Sequence, residues 1–271
     1  MKVLILAAGY AVRLQPLTLS LPKPLLPIGG KKLIDRILER LAGTKGIDSI
    51  YVVSNHKFFN NFEEWAKSSP HSDKISLIDD GTRTPETRLG AIRDLGLSIK
   101  TKHINDDLLV IAGDNLFHFE VKNFLKFAKS HSSGVSIALY DVGSLEAAKR
   151  FGVVGIDKDK RVVEFEEKPQ APKSALISTG IYYFPKDKIS GIIKYAERKG
   201  AKLDAPGYYI KWLSANDKVY GFSFSEKWYD IGDIESYKKA DEEYAKTPRC
   251  GLLLNRGLAR GKGRVERNGR A

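Results

Sequence analysis

Val3-Leu4-Ile5-Leu6-Ala7-Ala8-Gly9-Tyr10-Ala11-Val12-Arg13-Leu14-Gln15-Pro16-Leu17-Thr18, with Pro22-Lys23-Pro24-Leu25-Leu26-Pro27-Ile28 after it, is the stretch from which the fold is read. Val3 to Leu6 is an aliphatic run without polar alternation, which predicts a strand buried on both faces of a parallel sheet. Small residues follow at once. Ile34, Ile37, Leu38 and Leu41 then fall at i, i+3, i+4 and i+7, the stripe of an amphipathic helix, with Gly43 as its stop. Strand, small-residue loop and helix in that order open a βαβ unit.

Outward from this start the pattern repeats. Strands are predicted at 50–53, 75–78, 108–112 and 135–140, alternating with helices near 58–67, 88–99 and 121–129. Such alternation implies right-handed crossovers and a mostly parallel sheet covered by helices. After Arg150 the grammar changes. Phe151 to Ile156 and Arg161 to Glu166 read as a hairpin, Leu176 to Phe184 and Val219 to Phe224 as further strands, and 186–198 and 233–244 as helices. The expected architecture is one Rossmann-like α/β unit over 1–244. Its first half, 1–150, is parallel, and its second, 151–244, adds a mixed sheet over the carboxyl edge.

With 271 residues, 42% of them hydrophobic and 29% charged, the chain can bury a full core. No run of eighteen apolar residues occurs, and Val3 to Ala8 is too short for a signal peptide, so a cytoplasmic protein with no membrane partner is expected. The single Cys250 cannot form an internal disulfide, and the five histidines show no metal-ligand spacing. The net charge of +12 is concentrated at one end: 245–271 carries eight Lys or Arg against Glu266. That stretch is Gly- and Arg-rich without period and reads as a disordered basic tail, while the remainder is too mildly basic to argue for nucleic acid.

The residues Leu6-Ala7-Ala8-Gly9 at a strand's carboxyl end let backbone N–H groups approach phosphate oxygens, and Arg13 and Lys23 add positive charge nearby. This suits a polyphosphate. It is neither the dinucleotide-binding pattern G-x-G-x-x-G nor the Walker pattern. Asp114 follows an apolar strand, so its carboxylate falls at the sheet's carboxyl edge, where open α/β sheets bind ligands; a lone Asp there is also an ordinary turn former.

The string from Leu6 to Ile28 resembles the signature of the sugar-1-phosphate nucleotidylyltransferases, whose loop reads close to G-x-G-T-R-L-x-P-L-T followed by P-K-P-L-L-P. The resemblance continues in the same order through Gly113-Asp114-Asn115, Phe151-Gly152, Glu167-Lys168-Pro169, Ser178-Thr179-Gly180 and Trp228-Tyr229-Asp230-Ile231-Gly232, and covers 1–244. It implies transfer of a nucleotidyl group from an NTP to a sugar 1-phosphate, giving an NDP-sugar and pyrophosphate. The nucleophile is the substrate's own phosphate oxygen, consistent with a sequence that shows no convincing triad.

By the same resemblance, Asp114 and Asp230 hold Mg²⁺. Arg13 and Lys23 join Asp114 as catalytic groups around the triphosphate. Gly152, Glu167, Lys168 and Gly180 bind the sugar phosphate, Lys168 at its phosphate and Glu167 at its hydroxyls. Taken alone, Gly152 and Gly180 are equally readable as bulges, and Glu166 to Lys168 as a solvated strand end.

Arg88, Leu89 and Gly90 stand where the family has a small-residue turn against the nucleobase, but Arg88 is larger than usual, so base choice is unread. Two further departures are Ala11 for a usual glycine, where a positive φ would cost energy, and Val12 for a usual threonine. Three rival readings stay open. They are a cytidylyltransferase for inositol phosphate or phosphocholine, a non-catalytic sugar-nucleotide-binding regulator, and RNA binding through the tail. A homo-oligomer is also left open.

Overall fold

The computed structural model describes residues 1–246. The expected tail lies outside the described residues apart from its first two. Strand β1 (Lys2–Leu6) leads through a long loop and the small ribbon β2 (Pro27–Ile28) and β3 (Lys31–Lys32) into α1 (Leu33–Leu41). Then come β4 (Ser49–Ser54), α2 (Phe59–Ser68), β5 (Ile75–Asp79), α3 (Ala91–Thr101), β6 (Leu108–Ala112), β7 (Asn115–Phe117), α4 (Val121–Ser130) and β8 (Val135–Asp141). The second half runs α5 (Leu145–Ala148), β9 (Gly152–Ile156), β10 (Val162–Glu167), β11 (Leu176–Phe184), α6 (Ile189–Ala196), α7 (Pro206–Asn216), β12 (Val219–Phe224), β13 (Trp228–Asp230) and α8 (Ile234–Lys246).

The predicted strands occur where the apolar runs placed them. β5, β4, β1 and β6 are parallel neighbours, with Leu6 level with both Val53 and Ala112, so the carboxyl ends of the central strands form one edge. The aliphatic run of β1 is buried on both faces. Val3 and Ile5 point into one core with Ile34, Ile37 and Phe62, and Leu4 into the other with Ile92, Leu95 and Ile192. Each aliphatic side chain buried in this way contributes about 1.5–3 kcal/mol.

The second half does not form a separate sheet. β11 runs antiparallel to β6 through Ile181–Phe184, then pairs β9 through Ile177 and Ser178, while β8 lies along its other side. It changes neighbours at Gly180, whose φ of +78° only glycine adopts without strain, and the register with β8 slips between Ser178 and Tyr182. All nine large strands thereby belong to one continuous mixed sheet.

Four features escape the sequence reading: α5, α7, the β2/β3 ribbon and the β7/β13 ribbon. α7 opens with Pro206, a favoured first helical residue, but its apolar residues do not gather on one stripe. The ribbon strands of two or three residues are too short to show alternation. Among the described residues no helix is long and apolar enough to cross a membrane.

Candidate active site

The carboxyl edge of the sheet carries the first loop. Ala7 donates to Val53 O, Gly113 N donates to Leu6 O (2.8 Å), and Asn55 Nδ2 donates to Ala8 O (2.9 Å), so the segment Leu6 to Gly9 is tied to both neighbouring strands. Ala11 does adopt the left-handed conformation, at φ +47°. For a residue with a Cβ this costs about 1–2 kcal/mol. Two hydrogen bonds hold it there, as Thr18 Oγ1 and Leu14 N both donate to Ala11 O. The short turn Val12–Leu14 follows and presents Arg13.

Lys23 opens a second short turn in which Pro24, Leu25 and Leu26 pack inward. Its Nζ donates to Asp114 Oδ2 and to Ile231 O, both at 2.9 Å. Asp114 leaves β6 directly. Asp230 reaches the same place by another route, because β13 pairs antiparallel with β7, setting Asp230 opposite Asn115. Trp228 Nε1 donates to Asn115 Oδ1 (2.7 Å) and pins that ribbon.

The two carboxylates differ in how readily they ionise. Burial alone would push Asp114 up, but the Lys23 charge and hydrogen bond outweigh it and hold the carboxyl below its usual range. Burial and then the negative charge of Asp114 push Asp230 up to about 6. Asp230 is therefore short of positive charge at the edge of a cleft. Among the described residues no group of three or more His, Cys, Asp or Glu is placed to hold a metal. Two carboxylates with a charge deficit fit a hard cation such as Mg²⁺, which takes its other ligands from water or substrate oxygens.

Across the cleft stands the end of β10. Lys168 is itself left-handed, at φ +50°, and its N–H donates to Phe151 O (3.0 Å), which turns the side chain out of the strand. Glu167 folds back against the first turn of α7, where a Cβ on Gly207 would lie 1.8 Å from Glu167 Oε2. On its other side a Cβ on Gly152 would lie 2.5 Å from Phe165. Burial pushes the Glu167 carboxyl up, opposed by the neighbouring Lys168 charge.

Arg13, Asp114, Gly152, Glu167, Lys168, Gly180 and Asp230 thus line one cleft of about 210 Å³, and Lys23 reaches it through Asp114. Leu6 to Gly9 border the sheet edge without lining this cleft. Arg88, Leu89 and Gly90 do not line it either: Arg88 Nη2 pairs with Asp204 Oδ2 (3.4 Å), and Gly90 packs against the backbone of Leu203 and Asp204.

Sequence reasoning missed Arg150, Trp228 and the Pro206-Gly207 turn as cleft residues. Arg150 Nη2 pairs with Asp233 Oδ2 (3.1 Å) and its charge draws the Asp230 carboxyl down. Its place next to Phe151-Gly152 was the available signal.

With this geometry in hand, comparison with known proteins is decisive about family. A family model described as nucleotidyl transferase matches residues 2–247. The chain belongs to this family. Among solved structures, one resembling this nucleotidyl transferase is a protein from Bacillus anthracis, provisionally named a glucose-1-phosphate thymidylyltransferase and solved with sucrose. The two share 25% identity over 91% of this chain and 96% of that one, with a TM-score of 0.79. A second, apo UDP-glucose pyrophosphorylase, is 22% identical over 90% of this chain and 98% of that one, with a TM-score of 0.76, and supports the fold.

Proposed function

We propose that this nucleotidyl transferase joins a nucleoside triphosphate to a sugar 1-phosphate, releasing pyrophosphate and an NDP-sugar. The observation that carries the reading is the meeting of two chemically distinct walls in one cleft. Arg13, Asp114 and Asp230, with Lys23 behind them, suit a triphosphate, and Glu167 and Lys168 suit a phosphorylated sugar. Residues 1–150 then serve as the nucleotide half and 151–244 as the acceptor half.

An oxygen of the sugar phosphate attacks the α-phosphorus, and the bond from that phosphorus to the bridging oxygen breaks, leaving pyrophosphate. No protein nucleophile and no net proton transfer is required. The task of the chain is to bring two polyanions into line. Arg13 and Lys23 offset the triphosphate charge, and Lys168 fixes the acceptor phosphate. Glu167, an acceptor of hydrogen bonds, orients the sugar hydroxyls. Beyond Leu6 and Ala7, whose backbone is engaged by the sheet, the N–H groups of the loop at Ala8 and Gly9 approach the phosphates, and Arg88 to Gly90 would face the base. Asp114 and Asp230 would hold Mg²⁺, which when bound supplies positive charge against that developing on the leaving pyrophosphate.

The test is pyrophosphate release, with and without Mg²⁺, across UTP, dTTP, CTP, ATP and GTP against glucose, galactose, mannose, glucosamine and N-acetylglucosamine 1-phosphates, with inositol phosphate and phosphocholine included. Release that needs one NTP and one sugar 1-phosphate is expected. Release only with inositol phosphate or phosphocholine, or none from folded protein, would refute it.

A further inference from the structure

Beyond the cleft, β10, α6 and α7 enclose a second hollow of about 600 Å³, and Glu167 belongs to both spaces. Part of its wall is aromatic. Trp212 packs against Tyr195 with ring centroids 5.4 Å apart and stacks on Tyr209 at 6.0 Å, so the indole is held flat. Tyr195 OH donates to Tyr208 O (3.3 Å), which ties the end of α6 to the first turn of α7.

Around the opening stand Arg198, Lys199, Lys202 and Lys211, all exposed. Lys202 Nζ lies over the Tyr208 ring at 5.1 Å. Nearby surface lysines are paired, Lys100 with Glu197 and Lys188 with Asp217. Among the described residues none of the four cations at the hollow makes an ion pair or a side-chain hydrogen bond of that kind. Glu166, exposed on the same wall, and Glu167 offset part of this charge but leave the four cations in excess, and such an excess around a concave space attracts an anion.

We propose that this hollow takes a second anionic group carried by the acceptor. The preferred sugar 1-phosphate then bears a carboxylate or a further phosphoryl group at the end of the sugar remote from the transferred phosphate. The proposal rests on the reading of Glu167 and Lys168 as acceptor residues: with hydroxyls at Glu167, the sugar stands at the junction of the two spaces, and its far substituent projects toward the cations. The flat face of Trp212 beside them suits the ring of such a sugar.

The experiment compares glucose 1-phosphate, glucuronic acid 1-phosphate and glucose 1,6-bisphosphate as acceptors, with each of the five NTPs, for the full chain and its Lys202→Glu/Lys211→Glu variant. One anionic acceptor is expected to exceed glucose 1-phosphate in kcat/KM by about tenfold. The variant loses about tenfold on it while glucose 1-phosphate stays within twofold, and added salt narrows the gap. Which anionic acceptor responds separates carboxylate from phosphoryl recognition.

Equal turnover of all three, or equal losses in the variant, overturns the proposal and leaves the transfer reading standing. Binding followed by Trp212 fluorescence, assigned with Trp212→Phe, separates the opposite case. Binding of the anionic sugar phosphate that the double variant weakens, without transfer to any acceptor, overturns the transfer reading alone. Neither binding nor transfer overturns both.

Discussion

Asp94→Asn is the substitution whose consequence can be worked furthest from the structure. Asp94 lies in the first turn of α3, 6% exposed, and its carboxyl is hydrogen-bonded to that of Asp80. Asp80 Oδ2 and Asp94 Oδ1 are buried with no donor of their own, as two acids facing each other over one proton are. Burial first, then the charge of Asp80, pushes Asp94 up to about 8. The unfolded carboxyl titrates near 4.

Between these values the folded chain holds a proton that the unfolded chain has released, so stability falls as pH rises. The full stability is present below about pH 4 and the loss is complete above the folded value. Each unit in that window corresponds to about 1.4 kcal/mol, giving a ceiling of about 3 kcal/mol between pH 5 and pH 7. Asparagine keeps a donor for Asp80 and cannot ionise. The assay is urea unfolding of wild type and Asp94→Asn at pH 5, 6, 7 and 8. The variant's relative stability should be lowest at pH 5 and rise steadily toward pH 8. Titrating groups other than Asp80, whose own titration the substitution alters, are common to both proteins and cancel in the difference. Parallel curves would refute the shared proton.

The effect should extend beyond stability, because Asp80 Oδ1 accepts from Thr82 N (2.7 Å) and Thr82 Oγ1 is hydrogen-bonded to Tyr10 OH (3.0 Å), next to Gly9. Wild-type KM for the NTP should therefore rise toward pH 8, and that of Asp94→Asn should not.

Three more outcomes are expected. Asp230→Asn removes a carboxylate already pushed toward neutrality, so turnover should fall on the order of 10²- to 10³-fold while stability at pH 7 to 8 is unchanged or higher; a loss of both would mark a structural residue. Gly207→Ala drives a methyl into Glu167 Oε2, 1.8 Å from the Cβ position. Acceptor kcat/KM should drop by about 10- to 100-fold with KM for the NTP unchanged, as steady-state kinetics with each substrate varied would show. Ala11→Gly relieves the left-handed strain at φ +47°. It should raise the urea midpoint by the equivalent of up to about 1 kcal/mol, the rest being offset by unfolded-chain entropy, without lowering turnover.

Leu108–Ala112 and Leu176–Phe184 were legible because they are largely buried on both faces, and Val219–Phe224, a half-buried edge strand, by its aromatic and β-branched residues. Helix starts were less legible. The stretch read from Arg88 begins as a helix only at Ala91, after Gly90 at φ +88°. Asp114 could be singled out because it stands at a strand's carboxyl end, whereas Glu167 and Lys168, readable alone as a solvated strand end, were singled out only by the family resemblance. The pairing of Asp230 with Asp114 depends on a three-residue ribbon with no period of its own. Gly207 was invisible for another reason: what it does follows from which segments of the second half fold back onto the cleft, a long-range fact that local pattern does not carry.

The change of neighbours along β11 has a mechanical consequence. One uninterrupted strand is hydrogen-bonded to β6 at one end and to β9 at the other, so the sides proposed to take nucleotide and acceptor are two ends of the same beam. Rigid rotation of one side against the other would have to tear ladder bonds or bend the strand at Gly180. Adjustment to substrate size therefore falls to the parts outside the ladder: the turn bearing Arg13 and the chain from Ala201 into α7. A polypeptide cut at 150 would leave β6 and β8 each with a bare edge toward the missing β11, and mixing the two pieces is the only way either could regain its sheet.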